Sequence, residues 1–214
     1  MSSGLKDLKI ALNLAHLMKK LCKVIPNYAK KVYKNTIIGL QQICRKWLKY
    51  SKIKHFRRKN IMIKVLFICH GNICRSTMAQ SVMTHLVNQS KLQHAIHINS
   101  AATSREEIGN PPHHGTVAKL RQVGIPVVPH RAIQMTKEDY EEYDYLIGMD
   151  TYNIRNIQRI VGSDKDDKIY KLLTFAGSGR DIADPWYTGN FDETYNDVLE
   201  GCEALLNHIK EELH

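Results

Sequence analysis

From residue 61 onward, short apolar runs alternate with stretches of helical periodicity. Four runs have the length and composition of buried strands: 61–68, 96–101, 125–128 and 145–149. Four longer stretches space their apolar residues as amphipathic helices do: 76–87, 115–123, 151–160 and 191–213. Ser76 is the predicted cap of the first helix, and Gly124 is predicted to end the second. Thr136-Lys-Glu-Asp139 has the pattern of a capping box that opens a further short helix.

The alternation of strands and helices predicts the fold class. Strands joined through helices lie parallel in one sheet, and the connecting helices cover its faces. We therefore expect an α/β fold with three layers, in which a four-stranded parallel sheet has helices on both faces. In such sheets the ligand binds beyond the carboxyl ends of the strands. Cys69 directly follows the first predicted strand and so falls at that edge.

Charge divides the chain near residue 60. Residues 1–60 carry 16 Lys and Arg against a single acid, Asp7, whereas residues 61–214 carry 15 Lys and Arg against 20 acids. The net charge of +10 is therefore the sum of +15 and −5. We interpret residues 1–60 as a basic amphipathic extension, helical or disordered, and residues 61–214 as the domain that carries the chemistry.

Three explanations for the extension stay open. It is an upstream extension of the reading frame without function, a basic arm that contacts anionic membrane or nucleic acid, or an organelle-targeting segment. We expect it to be dispensable for catalysis. No run of about 18 uncharged apolar residues occurs, so the sequence predicts no transmembrane helix.

The cysteines indicate a reducing compartment. There are five, at positions 22, 44, 69, 74 and 202, and they form neither an even disulfide framework nor a Cys-x2-Cys metal pair. A reactive thiolate has to stay reduced, so we expect a cytoplasmic protein. The sequence offers no compact metal cluster, and we expect no metal and no cofactor.

The most informative motif is Cys-His-Gly-Asn-Ile-Cys-Arg-Ser at 69–76, between a predicted strand and a predicted helix. The backbone N–H groups of such a loop converge on one point, and the helix N-terminus adds positive potential, so the loop can cradle a phosphate. The same field favours the thiolate form of Cys69. Arg75 offers a planar fork for two phosphoryl oxygens, and Gly71 allows a turn where a Cβ would clash. A buried structural cysteine with a surface arginine is the alternative.

A second motif, Asp184-Pro-Trp-Tyr187, supplies a candidate proton donor. An enzyme that expels an alcohol or a phenol from phosphorus needs such a donor. The residue before a proline is biased away from helix, so the Asp184 carboxyl can project. Trp186 and Tyr187 would flank an aromatic leaving group. The alternative is a turn that Asp184 caps, with both aromatic rings packed on the core.

Taken together, these residues resemble the low-molecular-weight protein tyrosine phosphatase family. The likeness begins at about residue 62 and continues to the C-terminus. The segments that carry it are, in chain order, VLFICHGNICRS at 65–76, SAATS at 100–104, GNPP at 109–112, HRA at 130–132, YDYLIGMD at 143–150 and DPWY at 184–187. The resemblance implies a flavodoxin-like fold and makes residues 61–214 a phosphatase catalytic domain. It also implies hydrolysis of phosphotyrosine and small aryl phosphates through a cysteinyl-phosphate intermediate.

The resemblance also implies roles for individual residues. The catalytic residues would be the nucleophile Cys69, the phosphate clamp Arg75 and the general acid Asp184. The phosphate-binding loop would comprise His70, Gly71, Asn72, Ile73, Cys74 and Ser76. The supporting residues, which would brace the loop together with Asn72 or orient Arg75, are Ser100, His130 and Asp150. For each supporting residue the simpler alternative is a local cap or turn.

Glu106, Trp186 and Tyr187 would form the substrate slot. Four positions depart from the usual pattern of the family. His70 replaces an apolar residue, Thr77 a frequent proline and Trp186 a frequent tyrosine. Glu106 stands where the animal members often have an aromatic residue, and this leaves the peptide preference open.

Three other functions are compatible with the same scaffold. An arsenate reductase would need further thiols, and only Cys202 lies downstream of the loop. A phosphoarginine phosphatase would resemble forms with threonine where Ile73 stands. An inactive phospho-binding or anchoring protein would be expected to lack Cys69, Arg75 or Asp184, and all three are present.

Two further expectations concern partners and redox chemistry. The expected partners are phosphotyrosine-containing proteins, and a weak homodimer is a further option. Two thiols in one tight loop also predict reversible inactivation through a disulfide between Cys69 and Cys74.

Overall fold

The computed structural model describes residues 62–213. Four strands form one parallel sheet: β1 (Ile63–Cys69), β2 (Ile96–Ala102), β3 (Tyr145–Gly148) and β4 (Ile169–Lys171). Their order across the sheet is β2-β1-β3-β4, and every neighbouring pair is parallel. The residues 1–60 interpreted above as an extension lie outside the described residues.

Helices lie on both faces of this sheet. The α-helices are α1 (Arg75–Gln89), α2 (His114–Gln122), α3 (Asp139–Glu142), α4 (Thr151–Val161), α5 (Pro185–Thr188) and α6 (Phe191–Leu213), and a single 3-10 turn spans Leu172–Thr174. Gly124 follows α2 with a φ of +73°, as predicted for the glycine that ends this helix. Among residues 62–213, no helix is long and apolar enough to cross a membrane.

The alternating side chains of β1 build two cores. Val65 and Phe67 are fully buried against α1, α2 and α6. Leu66 and Ile68 point to the opposite face, where they pack against α3 and α4. A strand that is buried on both faces reads as a continuous apolar run, which explains the strong sequence signal of β1. The three-layer parallel architecture predicted from the sequence is confirmed.

The predicted strand at 125–128 is wrong. The backbone there is irregular, because two prolines in the stretch 126–129 lack the N–H groups that a strand would need. Two of the other backbone N–H groups donate to neighbouring helices instead of to a strand. Ile125 N donates to Leu120 O at the end of α2, and Val128 N donates to Ser81 Oγ on α1. The fourth strand is instead β4, which has only three residues, all half-buried, and follows a polar segment.

Two helices begin at residues other than the predicted ones. The residue before α1 is Cys74, not Ser76, and Ser76 lies inside the first turn with a fully buried side chain. α3 begins at Asp139 rather than after Thr136. Half of the predicted capping box is present, because the Asp139 carboxylate accepts the Thr136 N–H at 2.6 Å.

Candidate active site

The loop between β1 and α1 turns its carbonyl groups outward. Cys69 O accepts the N–H of Thr103 at 2.9 Å, and His70 O accepts the N–H of Ser104 at 3.0 Å, both from the segment that follows β2. Because the C=O and N–H of one peptide plane point in opposite directions, the N–H groups of His70 and Gly71 face the inside of the loop. The pairing with the neighbouring segment therefore produces the converging N–H groups expected of a phosphate cradle.

Two polar groups contact the Cys69 sulfur. The Asn72 N–H lies 3.2 Å from Sγ, and the Ser76 hydroxyl oxygen lies 3.1 Å from it. Ser76, the predicted cap residue, thus contacts the Cys69 sulfur and does not cap the helix.

The second thiol of the loop, Cys74, lies in an environment that disfavours its thiolate form. Burial, reinforced by the negative charges of Cys69 and Asp184, raises the pKa of Cys74 to about 12. Cys74 therefore stays protonated at neutral pH. Thr77, the threonine that replaces a frequent proline, donates its hydroxyl to the carbonyls of Ile73 and Cys74, at 2.9 and 3.0 Å.

Arg75 is buried beneath the loop and contacts two carboxylates. Its Nη1 donates to Asp150 Oδ2 at 2.5 Å and to Ile182 O at 3.1 Å, and its Nη2 donates to Asp184 Oδ2 at 2.5 Å. Burial alone would lower the pKa of Arg75, but the charges of Cys69, Asp184 and Asp150 outweigh it and raise that pKa. Nε is also buried and has no acceptor among the described residues. Such a donor suits an anionic ligand.

Each of the two carboxylates divides its oxygens between two partners. Asp150 caps α4, because its Oδ1 accepts the Asn153 N–H at 2.6 Å, while its other oxygen holds Arg75. Asp184 caps α5 in the same way, through Oδ1 and the Trp186 N–H at 3.1 Å. For Asp150 the sequence left open whether it caps a helix or orients Arg75, and it does both. The contact of Asp184 with Arg75 was not predicted.

Asn72 connects the loop to its supports. Its Nδ2 donates to the hydroxyl oxygens of Ser76 and Ser100, both at 2.9 Å. Its Oδ1 accepts from His130 Nε2 at 2.6 Å and from the Ile133 N–H at 3.1 Å. Asn72 is fully buried and has a left-handed backbone with φ of 59°, so the strained residue of the loop is Asn72 rather than Gly71.

The supporting residues predicted from the sequence are brought together in this network. Burial lowers the pKa of His130, which keeps its ring neutral at physiological pH. One member was missed: Gln80, whose Oε1 accepts the Ser100 hydroxyl at 2.7 Å. Its signal was available, because Gln80 follows Ser76 by four residues and thus shares its helix face.

The loop forms the floor of a cleft with a cavity of about 100 Å³. Its rim includes Glu106 and His70, whose side chains pair at 3.0 Å, and the aromatic residues Trp186 and Tyr187. The exposed fractions of the two aromatic residues are 56% and 83%, so they do not pack on the core. Glu107 was not predicted, although it lines the same cleft.

Residues 64–214 match the sequence model of one protein family, which is described as low molecular weight phosphotyrosine protein phosphatase. The YfkJ low molecular weight protein-tyrosine-phosphatase of Bacillus subtilis is 40% identical over 153 residues, covering 71% of this chain and 98% of that protein. The PtpA low molecular weight protein-tyrosine-phosphatase of Staphylococcus aureus strain Newman is 36% identical over 149 residues, covering 69% and 94%.

Solved structures agree with these sequence relatives. The crystal structure of YfkJ from Bacillus subtilis superposes with a TM-score of 0.68 at 40% identity and covers 71% of this chain and 96% of that one. The crystal structure of a Drosophila arginine phosphatase has a TM-score of 0.64 at 31% identity and covers 69% and 98%. Fold and relatives define the class as protein phosphatases. The chain belongs to the low molecular weight protein-tyrosine-phosphatase family and is a phosphatase.

Proposed function

We propose that the protein hydrolyses phosphotyrosine in protein substrates through a cysteinyl-phosphate at Cys69. One arrangement supports this most directly: Cys69 and Asp184 line the same cleft, and the buried Arg75 guanidinium donates to the Asp184 carboxylate at 2.5 Å. A nucleophile, a phosphoryl clamp and a proton donor are the three groups that the reaction requires.

In the first step the Cys69 thiolate attacks phosphorus, and the phosphorus–oxygen bond to the phenol breaks as the sulfur–phosphorus bond forms. The loop N–H groups and Arg75 hold the three equatorial oxygens. A phosphoryl oxygen takes the Arg75 donor that Asp184 occupies in the free site, which releases the Asp184 carboxylate. This carboxylate takes up a proton from solvent and gives it to the departing phenolate.

In the second step Asp184 accepts a proton from water, and the resulting hydroxide oxygen attacks the phosphorus of the intermediate. The phosphorus–sulfur bond breaks, and Cys69 leaves as a thiolate. The Ser76 hydroxyl, 3.1 Å from the sulfur, stabilises this leaving group by donating a hydrogen bond.

The shape of the cleft favours an aryl phosphate. A phosphoryl group on the loop places its leaving group between the rim residues, where Trp186 and Tyr187 offer flat apolar faces to a phenol ring. Ile73 also lines the cleft with an apolar side chain. A short serine side chain would not carry a phosphoryl group past this rim to the buried sulfur.

Phosphoarginine is a second candidate substrate. The structural likeness to a Drosophila arginine phosphatase favours it. Ile73 argues against it, because an apolar side chain offers no hydrogen bond to a guanidinium group. Phosphotyrosine therefore stays the first choice.

One assay separates these substrates. Phosphate release is measured from three peptides that differ only in the modified residue, phosphotyrosine, phosphoserine or phosphoarginine, with and without vanadate. We expect kcat/KM to be highest for phosphotyrosine, by about 100-fold over phosphoserine, and to be abolished by vanadate, an oxyanion that the loop should bind. A higher kcat/KM for phosphoarginine would replace the proposed substrate.

For residues 1–60 we keep the expectation that catalysis does not need them. The test compares the full chain with residues 61–214 in the aryl phosphatase assay, and loss of activity on truncation would refute the expectation. Flotation with anionic liposomes at two salt concentrations tests the basic arm, whose binding should weaken with salt. A thiolate nucleophile also needs a reducing compartment, so we propose a cytoplasmic enzyme, which acts alone or as a weak homodimer.

A further inference from the structure

Asp181 ties the loop that carries Asp184 to the sheet. One of its oxygens, Oδ1, accepts three hydrogen bonds: from the Thr151 N–H at 3.1 Å, the Thr151 hydroxyl at 3.0 Å and Lys171 Nζ at 2.8 Å. Lys171 Nζ also donates to Gly179 O in the same loop. Lys171 is the last residue of β4 and Thr151 the first residue of α4, so two elements meet the loop at a single carboxylate.

The neighbours of Asp181 contact Arg75. Ile182 follows Asp181 directly, and its carbonyl accepts Arg75 Nη1 at 3.1 Å. Thr151 follows Asp150, whose carboxylate accepts the same nitrogen at 2.5 Å. Asp181 therefore joins the two chain segments that contact this guanidinium nitrogen.

The ion pair of Asp181 with Lys171 is partly shielded from water. The Lys171 side chain is 18% exposed and the Asp181 side chain 44%. Burial alone would raise the pKa of Asp181, but hydrogen bonds from Lys171 and Thr151 outweigh it and lower that pKa. Asp181 is therefore an ionised carboxylate at neutral pH.

A second set of ion pairs also holds this loop, but it does not join the loop to the other segment that contacts Arg75. Arg180 pairs with Asp197 at 2.6 Å and with Glu200 at 2.9 Å, and both partners lie on α6. This tie secures the loop to a helix on one side of the sheet. The Asp181 tie instead reaches the carboxyl edge of the sheet, where the phosphate loop lies.

We propose that Asp181 is a positioning residue for the phosphatase reaction, which fixes the Asp184 carboxyl over Arg75 and the leaving group by binding Lys171 and Thr151. The inference rests on the proposed role of Asp184 as the general acid. Asp181 itself touches no reacting atom. Its loss should therefore affect proton donation and leave phosphate binding by the Cys69 loop nearly intact.

Two substrates with different leaving groups test this role in the full chain. Phenyl phosphate expels a phenol whose pKa, like that of tyrosine, is about 10, and it needs a well-placed acid. The more acidic p-nitrophenol leaves with less help. For Asp181→Ala we expect a fall in kcat/KM of about tenfold with phenyl phosphate and less than about threefold with p-nitrophenyl phosphate, since small misplacements can cost up to about 100-fold.

Three companion variants make the test specific. Asp181→Asn keeps an acceptor for Thr151, so its kcat/KM with phenyl phosphate should fall less than that of Asp181→Ala. Lys171→Gln removes the charge on the other side of the ion pair and should resemble Asp181→Asn. Glu142→Gln breaks an exposed ion pair with Lys64 at the opposite end of β1 and should leave both values unchanged. The inhibition constant of vanadate, measured for every variant, should stay within about threefold of the unsubstituted protein, because the phosphate loop itself is unaltered.

An equal loss of kcat/KM with both substrates, or no loss, in both Asp181 variants would overturn the proposal. Asp181→Asn is nearly isosteric, so it carries the test if Asp181→Ala does not fold. Asp184→Asn on the same two substrates separates the two levels of inference. A steep leaving-group dependence there with a flat one in the Asp181 variants removes only the positioning role. A flat dependence in Asp184→Asn removes the general acid, and the role of Asp181 falls with it.

Discussion

Asn72 is the residue on which the geometry of the phosphate loop depends most, and Asn72→Ala is the substitution that tests this. The side chain makes four hydrogen bonds, all to groups on other elements or further along the loop. Alanine removes them and leaves the Ile133 N–H and His130 Nε2 without their main acceptor. Two partly buried donors that lose an acceptor cost roughly 2 kcal/mol together.

The backbone adds a second contribution. Asn72 has a φ of 59°, in the left-handed region that asparagine tolerates better than alanine. Alanine there costs about 1 kcal/mol more, which brings the expected loss of unfolding free energy to about 3 kcal/mol. Asn72→Gly removes the same hydrogen bonds without this strain, so it should be about 1 kcal/mol more stable than Asn72→Ala.

Urea denaturation followed by circular dichroism measures these differences, with hydrolysis of p-nitrophenyl phosphate measured in parallel. Lys91 is a matched control, because it is also left-handed, with φ of 57°, but exposed. Lys91→Ala should change stability by less than about 0.5 kcal/mol and leave turnover unchanged. If Asn72→Ala were as stable and as active as Lys91→Ala, the network around Asn72 would not hold the loop.

The remaining predictions concern the reaction and its environment. Cys69→Ser should fold normally and lose turnover, because a hydroxyl is a far weaker nucleophile than a thiolate at neutral pH; substantial remaining activity would remove Cys69 from the mechanism. Mild peroxide should inactivate the enzyme reversibly through a Cys69–Cys74 disulfide, seen by peptide mapping; a sulfonic acid at Cys69 with Cys74 free would contradict this. Stability should fall as the pH drops below about 6.5, because the unfolded chain protonates His130 more readily than the fold, which lowers its pKa. His130→Gln should reduce that slope in urea titrations at several pH values, and an unchanged slope would exclude His130 as its source.

The elements that the sequence predicts well are those with one dominant local signal. β1 is an apolar run buried on both faces, and α6, predicted at 191–213, has the observed bounds because its helical periodicity is long. The strand at 125–128 was wrong because apolar composition was weighed without its prolines. β4 was missed because a three-residue edge strand gains its pairing from β3 and has almost no local pattern.

The chemistry of the site follows the same division. Cys69 and Arg75 lie in one contiguous motif, so their proximity could be predicted from spacing and the strand–helix context. That Asp150 both caps α4 and contacts Arg75 could not be predicted, because which of its oxygens faces Arg75 depends on how β3 aligns with β1. Gln80 lies one helical turn after Ser76 and could have been predicted from that spacing. Glu107 had no motif of its own and joins the site only because the segment after β2 folds onto the loop.

Turnover should pass through a phosphoryl bond to the Cys69 sulfur. Asp184→Asn should slow the reaction by roughly 10²- to 10⁴-fold with phenyl phosphate, the usual effect of removing a positioned acid or base, and slow hydrolysis of the intermediate as well. This variant is mixed with p-nitrophenyl phosphate, quenched in acid within the first turnover, digested and analysed by mass spectrometry. We expect one phosphoryl group on the peptide that contains Cys69. Phosphate on another residue, or turnover with Cys69 never modified, would contradict it.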